Sequence, residues 1–309
     1  MNPNFEQQRL LWIKPNLQRR AGIIQLVRSF FSMRGFLEVE TPIRMPEIAP
    51  EQYISPFDSE GWFLCTSPEL HMKRLLASGY DNLFQITRCF RKGETGKQHN
   101  PEFSMLEWYR IGGSYRDMIT DTEEMITAIY QGLGIGPVIQ FLGKNVDLSP
   151  PWTRMSIQNI FRKTASWDPI ATPDPERFDV DLTTKIMPSL DFMHPIVLEY
   201  YPASMASLSR LNSNDPRVSE RAEVFIAGLE LANAYSELND PTEQQKRFEK
   251  EIALINEAGG KASMPDRFVK AMAQLPECSG IALGLDRLVM LFSGTDSIED
   301  VMTFPAHFI

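Results

Sequence analysis

The stretch Phe90–Tyr109, FRKGETGKQHNPEFSMLEWY, constrains this chain more than any other. It predicts strand, polar glycine-containing loop, strand. Arg91 stands at the start of the loop, and His99 and Asn100 at its end. In the second strand Phe103, Met105, Glu107 and Tyr109 alternate with Ser104, Leu106 and Trp108, so the two sets face opposite sides. One side therefore carries a fixed cation and a ring: Arg91 can hold a phosphate, and Phe103 can stack on a base. Lys92, Lys97 and His99 add donors, while Gly93 and Gly96 leave the loop backbone mobile enough to close on a polyphosphate. The competing reading is a surface hairpin with a salt-bridged arginine, which a lone arginine would favour.

The 309 residues suffice for a full core, as one large domain or two smaller ones. Hydrophobic residues at 43% and charged residues at 23% are ordinary for a soluble globular protein. No apolar run approaches the ~18 residues of a membrane span, and the start MNPNFEQQRLLWIKP lacks the regions of a signal peptide. Cys65, Cys89 and Cys278 are widely spaced without a CxxC pair, pointing to a reduced cytoplasmic protein with neither zinc nor disulfides. A net charge of -9 and no Lys/Arg cluster argue against a dedicated RNA binder.

Asn16 reads as an N-cap, followed by Ile23, Ile24, Val27, Phe30 and Phe31 at helical spacing and by Gly35 as the stop. Phe36–Val39 and Leu83–Ile86 read as strands, and Ser67-Pro68-Glu69 opens a helix to Leu76 with Pro68 at its first position. Met118–Leu133 is helical, the proline-rich segment 141–215 reads as small peripheral helices, and Ala222–Leu238 reads as strand. Asp240-Pro241-Thr242-Glu243 starts a helix, and Gly280–Leu285 is a strand that leads into a helix from Asp286. Hairpins and long returns with helices collected around them predict α+β with a mainly antiparallel sheet. GxGxxG and GxxxxGK[ST] are both missing, so any nucleotide is bound by another route.

Arg287, at a helix start after GIALGLDR, reinforces an anion site there, and Gly280 and Gly284 allow close approach of a ligand. A glycine-rich core strand explains the same residues. Glu230 and Glu237 in GLELANAYSELND are candidate Mg²⁺ ligands. Seven apart on a regular strand they face opposite sides, and a bulge near Asn233-Ala234 would bring them together. Ser67, Pro68, Glu69 and Tyr109 can supply a carboxylate and a phenol to a cationic substrate, or simply cap a helix and fill the core.

Together these residues resemble the catalytic domain of class II aminoacyl-tRNA synthetases of the lysyl type. RGFLEVETPI (34–43) is similar to motif 1, FRKGETGKQHNPEF to motif 2 and GIALGLDRLVM (280–290) to motif 3; NPEF, ELANAYSELND and the SPE at Ser67 are lysyl-like. The resemblance runs over 16–305. Motif 1 begins at Arg34, leaving no room for an anticodon-binding domain, so the chain resembles most the freestanding paralogue family that ligates (R)-β-lysine to elongation factor P. It implies the class II synthetase fold, an antiparallel β-sheet flanked by helices, as a single catalytic domain over 1–309 with 141–215 as an insertion. It implies ATP and Mg²⁺ as cofactors, (R)-β-lysine and elongation factor P as partners, and a homodimer through motif 1; neither tRNA nor membrane is expected. Arg91 would hold the α-phosphate, with Lys92, Gly93, Glu94 and His99 around the nucleotide. Phe103 would stack on adenine, Asn100 would touch the nucleotide, and Arg287 would hold the γ-phosphate. Leu231 and Gly284 would lie along the nucleotide, with Glu230 and Glu237 on the metal. Glu237, Tyr109, Asn233 and Tyr235 would receive the side-chain end of the lysine, and Glu69 its other amine.

Two departures stand out. Lysyl synthetases carry Arg-x-Glu where this chain has Arg91-Lys92-Gly93, so Glu94 is the substitute contact for the adenine amine. Ala282 replaces a glycine of motif 3, and one methyl in a packed pocket is worth about 1–3 kcal/mol of discrimination, here toward a β-amino acid. A truncated enzyme charging tRNA or another amine with α-lysine, an amide ligase of the same fold and a non-catalytic regulatory paralogue are the alternatives.

Overall fold

The structure is a computed structural model that describes residues 3–309; Met1 and Asn2, part of the expected domain, lie outside the described residues. In chain order the strands are β1 (Leu37–Glu38), β2 (Arg44–Met45), β3 (Asp58–Ser59), β4 (Trp62–Leu64), β5 (Leu83–Phe90) and β6 (Glu102–Ile111). They continue with β7 (Val138–Phe141), β8 (Lys144–Asp147), β9 (Thr153–Ser156), β10 (Ile196–Glu199), β11 (Arg221–Ile226), β12 (Leu229–Ser236) and β13 (Cys278–Gly284). The helices are α1 (Pro3–Met33), α2 (Glu69–Ala77), α3 (Tyr115–Gly132), α4 (Ile157–Thr164), α5 (Pro175–Asp181), α6 (Met187–Ser189), α7 (Pro241–Glu257), α8 (Asp266–Met272) and α9 (Leu285–Ser293). The class is α+β, as expected. Among the described residues no helix is long and apolar enough to cross a membrane.

The chain forms two compact units, one of Met1–Tyr109, Asn239–Pro276 and Leu283–Ile309, the other of Arg110–Leu238 and Glu277–Ala282. In the first, β1 runs parallel to β5, and β5 pairs antiparallel with β6 from Leu83↔Tyr109 to Phe90↔Glu102. The alternation read from β6 holds: Trp108 packs at a tilt against Phe31 (5.1 Å between centroids), which itself stacks on Phe84 (4.9 Å). Ile23, Val27, Phe30 and Phe31 of α1 are buried there. Phe103, Met105, Glu107 and Tyr109 are left on the other face.

The helix start expected at Asn16 is not there. α1 continues through Pro15, and Asn16 donates to the Asp300 carbonyl (3.0 Å). An interior proline costs a helix roughly 3 kcal/mol. Here tertiary contacts offset it: the Arg9 guanidinium spans the carbonyls of Glu299, Met302 and Thr303.

In the second unit the strand order is β13-β12-β11-β10-β9, antiparallel from β12 to β10 and parallel between β10 and β9. The expected single strand over 222–238 is a hairpin. Ala227 (φ +53°) and Gly228 (φ +81°) make a two-residue turn between Ile226 and Leu229, the geometry that matches strand twist. The segment 141–215, expected as helical periphery, also supplies β9 and β10. Its helices bury Ile157, Phe161 and Phe178 against Leu198, Tyr201 and Phe225, with Phe161 stacked on Phe178 at 4.6 Å.

Candidate active site

The first unit gathers two clusters on the open side of β5 and β6. In one, the Arg91 guanidinium lies 5.2 Å from the Phe103 ring centre and 3.7 Å from Glu94. Gly93 takes φ +85°, a left-handed turn that glycine adopts without strain and that brings Glu94 back to Arg91. His99 accepts a hydrogen bond at Nε2 from Arg287 Nη2 (2.6 Å). Burial and the nearby Arg287 and Arg91 hold the His99 pKa below its ordinary value, so the ring stays a neutral acceptor. Arg91, Glu94, His99, Phe103 and Arg287 are thus together, as the sequence implied. Lys92 is exposed and contributes its backbone N–H to the Ser55 carbonyl (2.7 Å).

Arg287 is placed by a relay invisible in the sequence. The Arg20 guanidinium donates to Asp286 Oδ1 (2.5 Å) and to Ser104 Oγ (2.7 Å), while Asp286 Oδ2 accepts from the Ser104 N–H (2.6 Å). This buried carboxylate ties the start of α9 to β6 one residue after Phe103. Gly284 caps α9, and a Cβ there would meet the Arg287 side chain at 3.6 Å, an ordinary contact distance, so its Cα lies directly beside that arginine. Asn100 is placed differently from expectation. It donates to the Glu102 carbonyl (2.5 Å) and accepts from the Ala306 N–H (2.9 Å). Its amide is used as a staple, which leaves its backbone for any contact with a nucleotide.

The second cluster centres on Glu107, a residue not singled out from sequence. It is buried; Ser67 Oγ donates to its Oε1 (2.6 Å) and Tyr109 OH to its Oε2 (2.8 Å). Burial and the neighbouring Glu69 carboxylate push its pKa up from 4.5 to about 7, against the two hydroxyls and Lys73, which favour the charge. Glu69 pairs with the buried Lys73 (2.5 Å) one helical turn on in α2, and its N–H donates to Ser67 Oγ (3.1 Å). Pro68 is the N-cap of α2 rather than its first residue. The signal that was available is the period of two: Glu107 shares the face of Phe103 and Tyr109.

In the second unit β12 pairs Phe225 with Glu230 and Val224 with Ala232, which leaves Leu231 as one extra residue. The bulge sits at Leu231 rather than at Asn233-Ala234. It flips the parity of the strand, so Glu230, Asn233, Tyr235 and Glu237 share one face. Exposure follows along β12: Glu230 is exposed, Asn233 and Tyr235 are half-buried, and Ala232, Ala234 and Ser236 are buried; Glu237, one residue past the strand, is buried. Asn233 Nδ2 donates to Tyr235 OH (3.2 Å). Leu231 buries its side chain and, as the bulge residue, keeps its peptide groups out of the ladder. Ala282 is a half-buried position of β13 between buried Ile281 and Leu283.

One expectation fails here. Glu230 and Glu237 share a face but stand seven residues apart along the strand, roughly 20 Å at the usual rise, too far to share one ion. Glu230 stands opposite Phe225, and two residues along β11 on the same face, opposite Asn233, is Glu223, which accepts from Arg221 (2.7 Å) and Tyr201 (2.5 Å). Both glutamates act on the Tyr201 phenol, whose pKa burial and their charges raise. Burial opposes the Arg221 charge, but Tyr235, Glu223 and Tyr201 hold its pKa up.

Residues 7–307 match the family of tRNA synthetases class II (D, K and N), across both units. The elongation factor P–(R)-β-lysine ligase of Proteus mirabilis is 37% identical over 94% of this chain and 95% of its own length, and that of Hamiltonella defensa likewise 37% over 94% and 95%. The lysine–tRNA ligase of Dehalococcoides mccartyi is 34% identical over 93% of this chain; the chain spans 63% of that enzyme's length. The chain belongs to the class II (D, K and N) tRNA synthetase family.

Proposed function

We propose that this chain is an ATP-dependent, AMP-forming ligase that activates (R)-β-lysine as an adenylate and transfers it to a lysine side chain of elongation factor P. We infer further that it works in the cytoplasm as a homodimer, without tRNA as a substrate. The observation that carries the reading is the buried Ser67–Glu107–Tyr109 cluster with Glu69 beside it, in the same unit as the Arg91–Phe103–Arg287 group. Carboxylates kept out of water with fixed hydrogen-bond donors suit ammonium groups, and two arginines beside a ring suit a nucleotide. The relatives named as elongation factor P ligases match over nearly their full length, which favours a protein acceptor.

In the first step a carboxylate oxygen of the substrate attacks the α-phosphorus of ATP, and the bond to the β-phosphate breaks to release pyrophosphate. Arg91 holds the α-phosphate and Arg287 the γ-phosphate, placing positive charge where negative charge develops. His99, neutral, orients Arg287; Phe103 stacks on adenine and Glu94 meets its amine. Lys92 and Gly93, the Asn100 backbone and Gly284 line the nucleotide in the first unit, and the Leu231 peptide groups of the second unit are the further nucleotide contact inferred from the resemblance. In the first unit Glu107 and Tyr109 receive the side-chain ammonium, while Ser67 and Pro68 set Glu69 to meet the other amine; in the second unit Asn233, Tyr235 and Glu237 are polar groups suited to an ammonium, and Ala282 is the position suited to favour a β-amino acid. Glu230 with Glu223, two carboxylates on one face of adjacent strands, fit Mg²⁺, which would add charge neutralisation at the phosphates. In the second step the acceptor amine attacks the adenylate carbonyl, loses its proton, and AMP departs.

ATP–pyrophosphate exchange dependent on (R)-β-lysine tests this; exchange with neither lysine isomer overturns it. Similar identity to lysine–tRNA ligases supports one second reading, α-lysine activation for tRNA. Stronger exchange with α-lysine, together with charging of tRNA, would establish that reading instead.

A further inference from the structure

The first unit buries a lysine inside a cluster suited to bind ammonium groups, which is chemically odd. Lys73 is 1% exposed, and its Nζ lies 2.5 Å from Glu69 Oε1. Burying an ammonium is costly unless it is paired, so a cation is not retained there without consequence. The two residues stand at i and i+4 of α2, a helix packed on α8, so neither end of the pair rests on a loop. Lys73 holds one oxygen of Glu69. At the same time the Glu69 N–H donates to Ser67 Oγ (3.1 Å), and that hydroxyl donates to Glu107 (2.6 Å). The Glu69 backbone is therefore tied to Glu107 through Ser67, and its carboxylate is held by Lys73 one turn along the same helix.

We propose that Lys73 is a specificity-determining positioning residue: by clamping Glu69, it sets where the amine nearest the substrate carboxylate must lie and so selects between lysine isomers. This rests on the functional reading above, in which Glu69 meets that amine. α-Lysine and (R)-β-lysine have the same chain length and charge. They differ in an amine moved by one carbon, about 1.5 Å. A carboxylate free to swing on its own rotamers would follow that shift and accept both isomers. A carboxylate held on one oxygen by a buried ammonium does not follow. Lys73 itself touches no reacting atom in this scheme.

The test compares wild type with Lys73→Arg and Lys73→Met in ATP–pyrophosphate exchange driven separately by (R)-β-lysine and α-lysine. Arginine keeps the charge but brings a longer planar fork, and so moves Glu69; methionine keeps the volume and releases it. The readout is the ratio of kcat/KM for the two isomers, in which a reduced fraction of folded protein cancels. That ratio should move toward α-lysine by about tenfold or more in both variants, with the KM for ATP within about twofold of wild type. A merely structural lysine would lower both kcat/KM values together. If Lys73→Met does not fold, Lys73→Arg reads the same ratio. An unchanged ratio in an active variant overturns the inference alone. Exchange by wild type with neither isomer overturns the functional reading, and this inference with it.

Discussion

Glu107→Gln separates the functional demand on this site from the demand of stability. The Glu107 carboxyl is buried with a pKa of about 7 against 4.5 when unperturbed. A raised carboxyl pKa means that the folded state holds its proton between pH 4.5 and 7 while the unfolded state has lost it. Stability therefore falls as pH rises through that window and levels off above about 7. The difference of about 2.5 pH units corresponds to about 3 kcal/mol carried as a cost in the free protein at pH 8. Glutamine keeps the shape, and the Ser67 and Tyr109 hydroxyls can rotate to accept as well as donate. The variant should be more stable than wild type at pH 8 by up to about 3 kcal/mol, and the two should converge toward pH 5. The same change removes the charge offered to the ammonium, a loss of about 2–5 kcal/mol, so the KM for the amino acid should rise at least about thirtyfold with the KM for ATP unchanged. Denaturant unfolding at pH 5, 6, 7 and 8, paired with exchange kinetics, reads both. A variant less stable than wild type at pH 8, or a stability difference independent of pH, would refute the reasoning.

Further expectations follow from the same geometry. Arg91→Ala should abolish pyrophosphate exchange while size-exclusion chromatography shows an unchanged oligomer; near-normal exchange would remove Arg91 from its role. Asp286→Ala breaks a buried pair with Arg20 and should cost about 3–5 kcal/mol in denaturant unfolding while raising the KM for ATP. Lowering the pH progressively below 6.5 should weaken ATP binding in wild type once His99 protonates and repels Arg287; in His99→Gln, which keeps an acceptor without titrating, that loss should shrink.

What the sequence disclosed is what local chemistry dictates. The alternation in β6, the Arg91 loop and the helix beginning near Arg287 all follow from period and residue type. Each is where the pattern put it. What escaped is what partners decide at a distance. Pro15 and Asn16 read as a helix boundary because contacts from Arg9 and Asn16 to the segment 299–303 are not local. Strands β9 and β10 are short and lie within a proline-rich segment, so their pairing with β11 leaves little periodic trace. A bulge was inferred from the need to bring Glu230 and Glu237 to one face. Its position at Leu231 depends on the partner strand, and the roughly 20 Å between the two glutamates is what ends their sharing of one ion. Glu107 was seen on the right face, but only its burial shows it to be a tuned carboxylate.

The most direct test of the central claim is the intact mass of elongation factor P after incubation with this protein, ATP and (R)-β-lysine. The account predicts a gain of one lysyl residue on a single lysine side chain with release of AMP, lost in Arg91→Ala and absent without ATP. An unmodified factor, alongside lysylated tRNA from the same enzyme preparation supplied with α-lysine, would contradict it.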